Sequence, residues 1–181
     1  MGNVLKVSNI KISIKTKVSR KNLIHFKNNF VCGKQTFSFF VYRHTNFILT
    51  IYYNGHINLT GIRDISRVKQ VITFLHKTVR IKRILSLKID NSTVTGQIKN
   101  KFLSKEKPFL YYICAISEQD CFDSVTYRRQ IFPGAFLKVN KCGTIVIFSS
   151  GKFNIVGCKN AKQVILLLNK LLKCIISIGQ A

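Results

Sequence analysis

Leu49-Thr-Ile-Tyr-Tyr-Asn-Gly-His-Ile-Asn-Leu-Thr-Gly61 and Ile145-Val-Ile-Phe-Ser-Ser-Gly-Lys-Phe-Asn-Ile-Val-Gly157 follow one pattern. The same interval separates Gly55 from Gly151 and Gly61 from Gly157, so the two segments align without a gap. Each alternates apolar residues with others around a central Gly, which predicts a β-hairpin with Gly in its turn. An amphipathic helix is expected after each. Asp64 offers an N-cap before Ile65, Val68, Ile72 and Leu75, and Asn160 offers one before Val164, Leu168, Leu171 and Ile175. The unit of the fold is therefore a repeat used twice.

Upstream of the hairpins, Asn9-Ile-Lys-Ile-Ser-Ile-Lys15 alternates strictly and Asn91-Ser-Thr-Val-Thr-Gly-Gln-Ile-Lys99 does so more loosely, and both read as first strands. Residues 19–29 read as a helix carrying Leu23, Ile24 and Phe26, with Phe30 just beyond, and Phe37 to Arg43 as the next strand. The matching stretch of the second half, from Phe102 to Gln119, is longer. The expected division is residues 1–80 for the first repeat and 81–181 for the second, with an insertion near 103–126. Glu106, Glu118, Asp120 and Asp123 cluster there, which reads as a solvated helix and loop, with a docking site as the other possibility.

Period two also assigns faces. Ile51, Tyr53, Ile57 and Leu59 share one side of the first hairpin, and Tyr52, Asn54, His56, Asn58 and Thr60 share the other. In the second, Ile147, Phe153 and Ile155 oppose Phe148, Ser150, Lys152, Asn154 and Val156. Helices must cover the apolar sets. The opposite sets, joined by Asn9, Lys11, Ser13 and Lys15, stay open, and large rings among Asn, Ser and Lys are what a nucleic-acid-reading sheet requires.

Composition agrees. The chain has 181 residues with 46% hydrophobic content, enough to bury a core, and its 30 Lys and Arg against 6 Asp and Glu leave a net charge of +24. Such a field attracts polyanions. Cys32, Cys114, Cys121, Cys142, Cys158 and Cys174 form no CxxC pair and lack zinc-finger histidine spacing, so neither a metal site nor a secreted disulfide framework is expected. The longest apolar run falls short of the roughly 20 residues that cross a bilayer, and Lys6 occupies the Ser/Thr position of the myristoylation pattern begun by Met1-Gly2. A reduced, non-secreted setting without a membrane partner follows. His25, His44, His56 and His76 have no nucleophile or ligand spacing, the acids offer no evident catalytic pair, and there is no phosphate-binding loop. No enzymatic activity, cofactor or small-molecule substrate is expected.

At Ile131-Phe-Pro-Gly134 followed by Ile147-Phe-Ser-Ser-Gly-Lys-Phe-Asn-Ile-Val-Gly157, the second half resembles the C-terminal repeat of the TATA-box-binding protein family. The Phe-Pro-Gly element, the Phe-x-Ser-Gly-Lys turn and the following strand stand in the family's order at nearly its spacing. The first half is similar in strand order, helix placement and the closing Leu-Thr-Gly61. The resemblance runs from about Leu5 to Ile178 and leaves the family's variable N-terminal region without a counterpart.

The resemblance implies an α+β fold: a pseudo-twofold saddle of two repeats whose curved antiparallel sheet sets its concave face on a bent minor groove, with helices on the convex face. It implies wedging rings at Phe37 with Tyr52 and at Phe132 with Phe148, and central base contacts at Asn9 and Asn91. Thr60 matches a groove-lining threonine, whereas Val156 takes the other threonine position and cannot hydrogen-bond. Asn58, Asn154, Lys11 and Thr93 replace apolar floor residues, so the floor is more polar than the family's. Arg43, Lys138, Lys141 and Lys152 match phosphate contacts, His56 replaces a turn lysine, and Asn54 and Ser150 join this set at the two turns.

Arg128 and Arg129 reverse the charge of the acidic stirrup that holds transcription factor IIB in the family, which implies an altered contact with the transcription machinery, an acidic partner or added phosphate contacts. The implied role is binding and bending of double-stranded DNA at AT-rich, promoter-like sites to initiate transcription, in the nucleus or at a site of viral transcription. Two alternatives stay open: a sheet that stacks single-stranded DNA or RNA, and a protein-assembly platform with weak DNA contact.

Overall fold

The computed structural model describes residues 5–30, 32–35, 38–98 and 107–179. It contains two compact units, one of residues 8–91 and one of residues 92–181 together with 1–7.

The unit of residues 8–91 runs β1 (Lys6–Lys17), α1 (Arg20–Asn29), β2 (Cys32–Gln35), β3 (Phe39–His44), β4 (Phe47–Tyr52), β5 (His56–Ile62), α2 (Val68–Phe74) and the first half of β6 (Arg83–Gln97). Its strands lie in the order β2-β3-β4-β5-β1, each antiparallel to the next. Strict alternation in β1 turns Ile10, Ile12 and Ile14 inward, where they meet Leu49, Ile51, Ile57 and Leu59 of the hairpin. Leu23 and Phe26 of α1 and Val68 and Val71 of α2 cover this face. Fully burying each such side chain is worth about 1.5–3 kcal/mol. The inward face of β1 ends on a polar residue, Thr16, whose Oγ1 and backbone N–H both donate to the Gly55 carbonyl, at 2.8 and 2.9 Å. Gly55 sits at φ +84°, and a Cβ on it would lie 2.6 Å from the Thr16 oxygen, so both the turn and the close approach require glycine here.

The other unit runs from the second half of β6 through α3 (Phe109–Ser117), β7 (Ser124–Thr126), β8 (Gly134–Val139), β9 (Gly143–Phe148), β10 (Lys152–Cys158) and α4 (Ala161–Gly179). Its antiparallel order is β6-β10-β9-β8-β7. Leu167, Leu171, Cys174 and Ile175 of α4 pack on Ile145, Ile147, Phe153 and Ile155. The start of α4 is fastened by Asn160, whose Oδ1 accepts from Gln163 N at 3.0 Å, while Gln163 Nε2 donates to the Lys141 carbonyl.

The structure corrects the sequence reading at several places. Ile24 and Ile65 are 42% and 51% exposed. Ile24 follows Leu23 by one residue and so turns about 100° away from the core. Asp64 does cap, accepting from Ser66 N at 2.9 Å, but it caps a 3-10 turn (Ile65–Arg67) that precedes α2. Val71, rather than Ile72, is then the fully inward residue. Beyond α2 a π-helical turn (Leu75–Val79) buries Leu75 and Val79, and Arg80 at φ 56° ends it.

Strand β6 begins at Arg83, well before Asn91, because Ile84 and Ile89 also find a core to pack on. The expected solvated helix is α3, and only one of its faces is solvated: Leu110, Tyr111 and Cys114 are exposed, whereas Tyr112, Ile113 and Ile116 are buried. Asp123 in this stretch is structural, its carboxylate accepting from Asn140 N at the turn between β8 and β9. Glu106 and Phe102 lie outside the described residues. No helix of the described residues is long and apolar enough to cross a membrane.

Candidate nucleic-acid interface

Each unit has one helix-covered sheet face and one open face, and strand alternation decides what the open face shows. In β8, Ala135 and Leu137 are fully buried, so Gly134, Phe136 and Lys138 point the other way. Phe132, just ahead of β8, is 37% exposed and Phe136 is 38% exposed. The Phe132 ring lies 5.2 Å from Phe136 and 5.9 Å from Phe148. Gly134 makes room for this cluster, since a Cβ there would sit 2.8 Å from Phe132 and 3.0 Å from Phe148. Val146 is buried beneath it, in reach of the same Cβ position. The second repeat thus presents three rings around a glycine, with Ile131 beside them 76% exposed.

The first repeat is built differently. Tyr52 is half-buried on the open face, with Phe39 at 5.4 Å and His56 edge-on at 5.7 Å. Phe39 is the direct cross-strand partner of Tyr52, as Gly134 is of Phe148. Phe37, the partner that the sequence reading assigns to Tyr52, lies outside the described residues. Phe39 and Phe136 were missed. Both could have been found by parity, because each is separated from Phe37 or Phe132 by an even number of residues along one strand direction.

Between the rings the open face is polar. Asn58 and Asn154 are half-buried at equivalent places, opposite Ser13 and Thr95. His56 Nε2 lies 3.1 Å from Asn58 Oδ1, and the Ser13 hydroxyl stands 3.4 Å from the same oxygen. Ser13 also donates to the Asp90 carboxylate. Asp90 is a third residue that the sequence reading did not pick out. Thr60, Val156, Lys11, Thr93 and Asn91 are half-buried along the same strands. Asn9 Oδ1 accepts from Gly61 N at 2.8 Å, beside a register shift between Ile10 and Ile12, so its side-chain carbonyl holds the end of β5.

The turn residues divide their roles. Asn54 Oδ1 accepts from His56 N at 3.0 Å, and Ser150 Oγ accepts from Lys152 N at 3.4 Å, so the two side chains close equivalent turns. Arg43, Lys138, Lys141 and Lys152 are exposed. Arg43 ends the outward row Phe39, Val41, Arg43 of β3, as Lys138 follows Phe136 in β8.

Arg128 and Arg129 are exposed in the turn before Phe132, where the Arg128 carbonyl accepts from Ile131 N and Phe132 N at 2.9 and 3.0 Å. Arg129 borders a cavity of about 660 Å³ that is also lined by Phe109, Tyr127 and Pro133. Chemistry elsewhere is quiet. Cys142, Cys158 and Cys174 are buried, and desolvation pushes the Cys158 thiol up to about 11 and the Cys174 thiol up to about 12, which makes them poor nucleophiles. Among the described residues no three His, Cys, Asp or Glu side chains converge as metal ligands.

A family model described as transcription factor TFIID (or TATA-binding protein, TBP) matches residues 88–178, which include the whole ring cluster of the second repeat. Among solved structures, Methanococcus jannaschii TBP aligns with a TM-score of 0.73 at 22% identity, covering 96% of this chain and 98% of that one. That likeness shows a shared α+β fold. The rolling circle replication initiator protein from Geobacillus stearothermophilus aligns with a TM-score of 0.44 at 9% identity over 92% of this chain and 78% of its own, too distant to carry any argument. No curated protein matches the chain in sequence.

Proposed function

The chain belongs to the TATA-binding protein family, and from that premise we propose that it is a non-enzymatic transcription initiation factor that binds the minor groove of duplex DNA with its open faces and bends it. The observation that carries this reading is the cluster of Phe132, Phe136 and Phe148 around Gly134 on an otherwise polar and basic face. Rings exposed in that way gain burial when they enter a base step. The unstacking costs a few kcal/mol per step and is offset by the extra surface a bent duplex touches. Flexible TA steps lower the cost, which favours AT-rich, promoter-like sites.

In this reading Phe132 and Phe148 form one wedge, and Tyr52 with Phe37 forms the other, backed by Phe39. Asn9 and Asn91 meet bases near the middle of the site, while Asn58, Asn154, Thr60, Val156, Lys11 and Thr93 line the floor. Arg43, His56, Lys138, Lys141 and Lys152 hold phosphates, with Asn54 and Ser150 shaping the turns that present them. Such contacts position the protein without specifying sequence. Work in the nucleus, or at a site of viral transcription, goes with the role. The exposed Arg128 and Arg129 beside an aromatic-walled cavity favour an acidic partner from the transcription machinery.

Competition binding at a fixed, stated salt concentration tests the proposal, because a charge of +24 hides specificity at low salt. A duplex with a TA-rich core is expected to displace a labelled duplex far better than its own strands kept apart. Equal competition by the separated strands would instead support stacking on splayed bases.

A further inference from the structure

One acidic side chain sits where an A·T-only site would not want it. Asp90 is one of 6 acidic residues against 30 basic ones, and its carboxylate accepts a hydrogen bond from the Ser13 hydroxyl on the open face of the unit of residues 8–91. The position is fixed by packing: Ile12 and Ile14, flanking Ser13, are both 0% exposed on the core side, so Ser13 points away from the core. Asn58 stands across from it. Its Oδ1 is within 3.4 Å of the Ser13 hydroxyl and 3.1 Å of His56 Nε2. A carboxylate has about four lone-pair sites and no proton of its own. With Ser13 engaged, Asp90 still has acceptor capacity and nothing to donate.

The minor groove makes that chemistry selective. A·T and T·A pairs present only acceptors there, whereas G·C adds the 2-amino donor of guanine. Against A·T the carboxylate would give up water and meet lone pairs, which is costly for a charge. Against guanine it gains a charge-assisted hydrogen bond.

We propose that Asp90, held by Ser13, reads the 2-amino group of one guanine in the half of the site covered by the first repeat. The preferred duplex then carries a G·C pair within an AT-rich frame. The inference rests on the open face occupying the minor groove. It is also one-sided. Ser8 precedes Asn9 where Asp90 precedes Asn91, and Thr95, opposite Asn154 as Ser13 is opposite Asn58, donates to the Lys6 carbonyl at 3.3 Å. The guanine therefore gives the site a direction.

Inosine lacks the 2-amino group and keeps the major-groove edge of guanine. In a short AT-rich duplex each pair in turn is replaced by G·C and, separately, by I·C, and the affinity ratio of the two is measured at every position. At one position in one half, the wild-type protein is expected to bind G·C at least about fivefold more tightly than I·C. Asp90→Asn should bring that ratio to about one. The ratio at a single position cancels the general gain in affinity from losing a negative charge. If G·C weakens binding relative to I·C at every position, or if Asp90→Asn leaves the preference intact, the role of Asp90 is overturned while minor-groove binding stands. If the amino group has no effect anywhere, the minor-groove reading itself falls. The wild-type scan is decisive even should the variant fold poorly.

Discussion

In the first repeat Ile14 of β1 pairs across the sheet with Ile57 of β5; at the equivalent place in the second, Gly96 of β6 pairs with Phe153 of β10. The open face repeats the exchange, with Phe39 opposite Tyr52 in one unit and Gly134 opposite Phe148 in the other. In both comparisons a pair of two filled positions has been traded for a glycine and a ring. Close packing constrains the volume shared across a strand pair rather than the residue at either position. Two copies of one backbone can therefore drift far apart in sequence while each keeps a packed core, provided that partners change together. The open faces show the structural consequence: a glycine makes room for the rings of one unit, and Phe39 stands against Tyr52 in the other.

The largest effect should come from breaking a core exchange. Gly96→Ile places a Cβ about where the Phe153 ring now lies, 2.4 Å from its tip, and is expected to lower unfolding free energy in urea by about 3 kcal/mol. Adding Phe153→Ile rebuilds the pair of the first repeat and should recover most of that loss. An additive double mutant would show that the pairs are not exchangeable units.

Next in size is the contrast between wedges. Phe132→Ala with Phe148→Ala is expected to weaken binding to a TA-rich duplex by about 2 kcal/mol, or roughly thirtyfold, without changing the fold seen by circular dichroism. Tyr52→Ala with Phe39→Ala should cost less than half as much in affinity, because burying the Tyr52 hydroxyl in a base step is unfavourable without a partner. It should also lose about 1 kcal/mol of stability from the broken ring pair. Equal losses in the two variants would erase the asymmetry.

A smaller difference lies at the turns. Ile98 N donates to the Gly151 carbonyl at 2.9 Å as Thr16 N does to Gly55, but Thr16 adds its hydroxyl to the same oxygen. Thr16→Val is expected to reduce stability by about 1 kcal/mol, read from chemical denaturation. The smallest effect concerns His56, which stands where the second repeat has Lys152. His56→Lys should steepen the slope of log affinity against log salt by about 0.9, the signature of one more phosphate contact. An unchanged slope would remove this turn from the phosphate-contacting set.

Much of this was legible in the sequence, and for a physical reason. The hairpins, their Gly turns and the inward residues Ile51, Ile57, Leu59, Ile147, Phe153 and Ile155 follow from a strict period of two, which few other structures produce. Where alternation breaks, legibility ends. Ile84 and Ile89 of β6 both pack on the core of the first unit, an odd spacing that no regular strand can serve. Asp90 follows this irregular stretch, and so its outward placement could not be read from Asn91 beside it. The edge strands β2 and β7 have only 4 and 3 residues, too few to show a period. For α3, the acids flanking it hid a buried face of Tyr112, Ile113 and Ile116 that its own apolar residues would have revealed. Phe39 was legible only as a residue of the same parity as Phe37, a pattern that the equally apolar Phe40 beside it obscures, whereas the pairing of β3 with β4 sets it directly against Tyr52.

The central claim is mechanical: rings on the open faces pry base steps apart and bend the helix. Fluorescence energy transfer between dyes at the two ends of a short TA-rich duplex reports this directly. Binding of the wild-type protein is expected to raise the transfer efficiency as the ends approach, and the Phe132→Ala, Phe148→Ala variant, at saturating concentration, should leave a clearly smaller rise. Saturation of the duplex by the wild-type protein with the ends no closer than in free DNA would contradict the account.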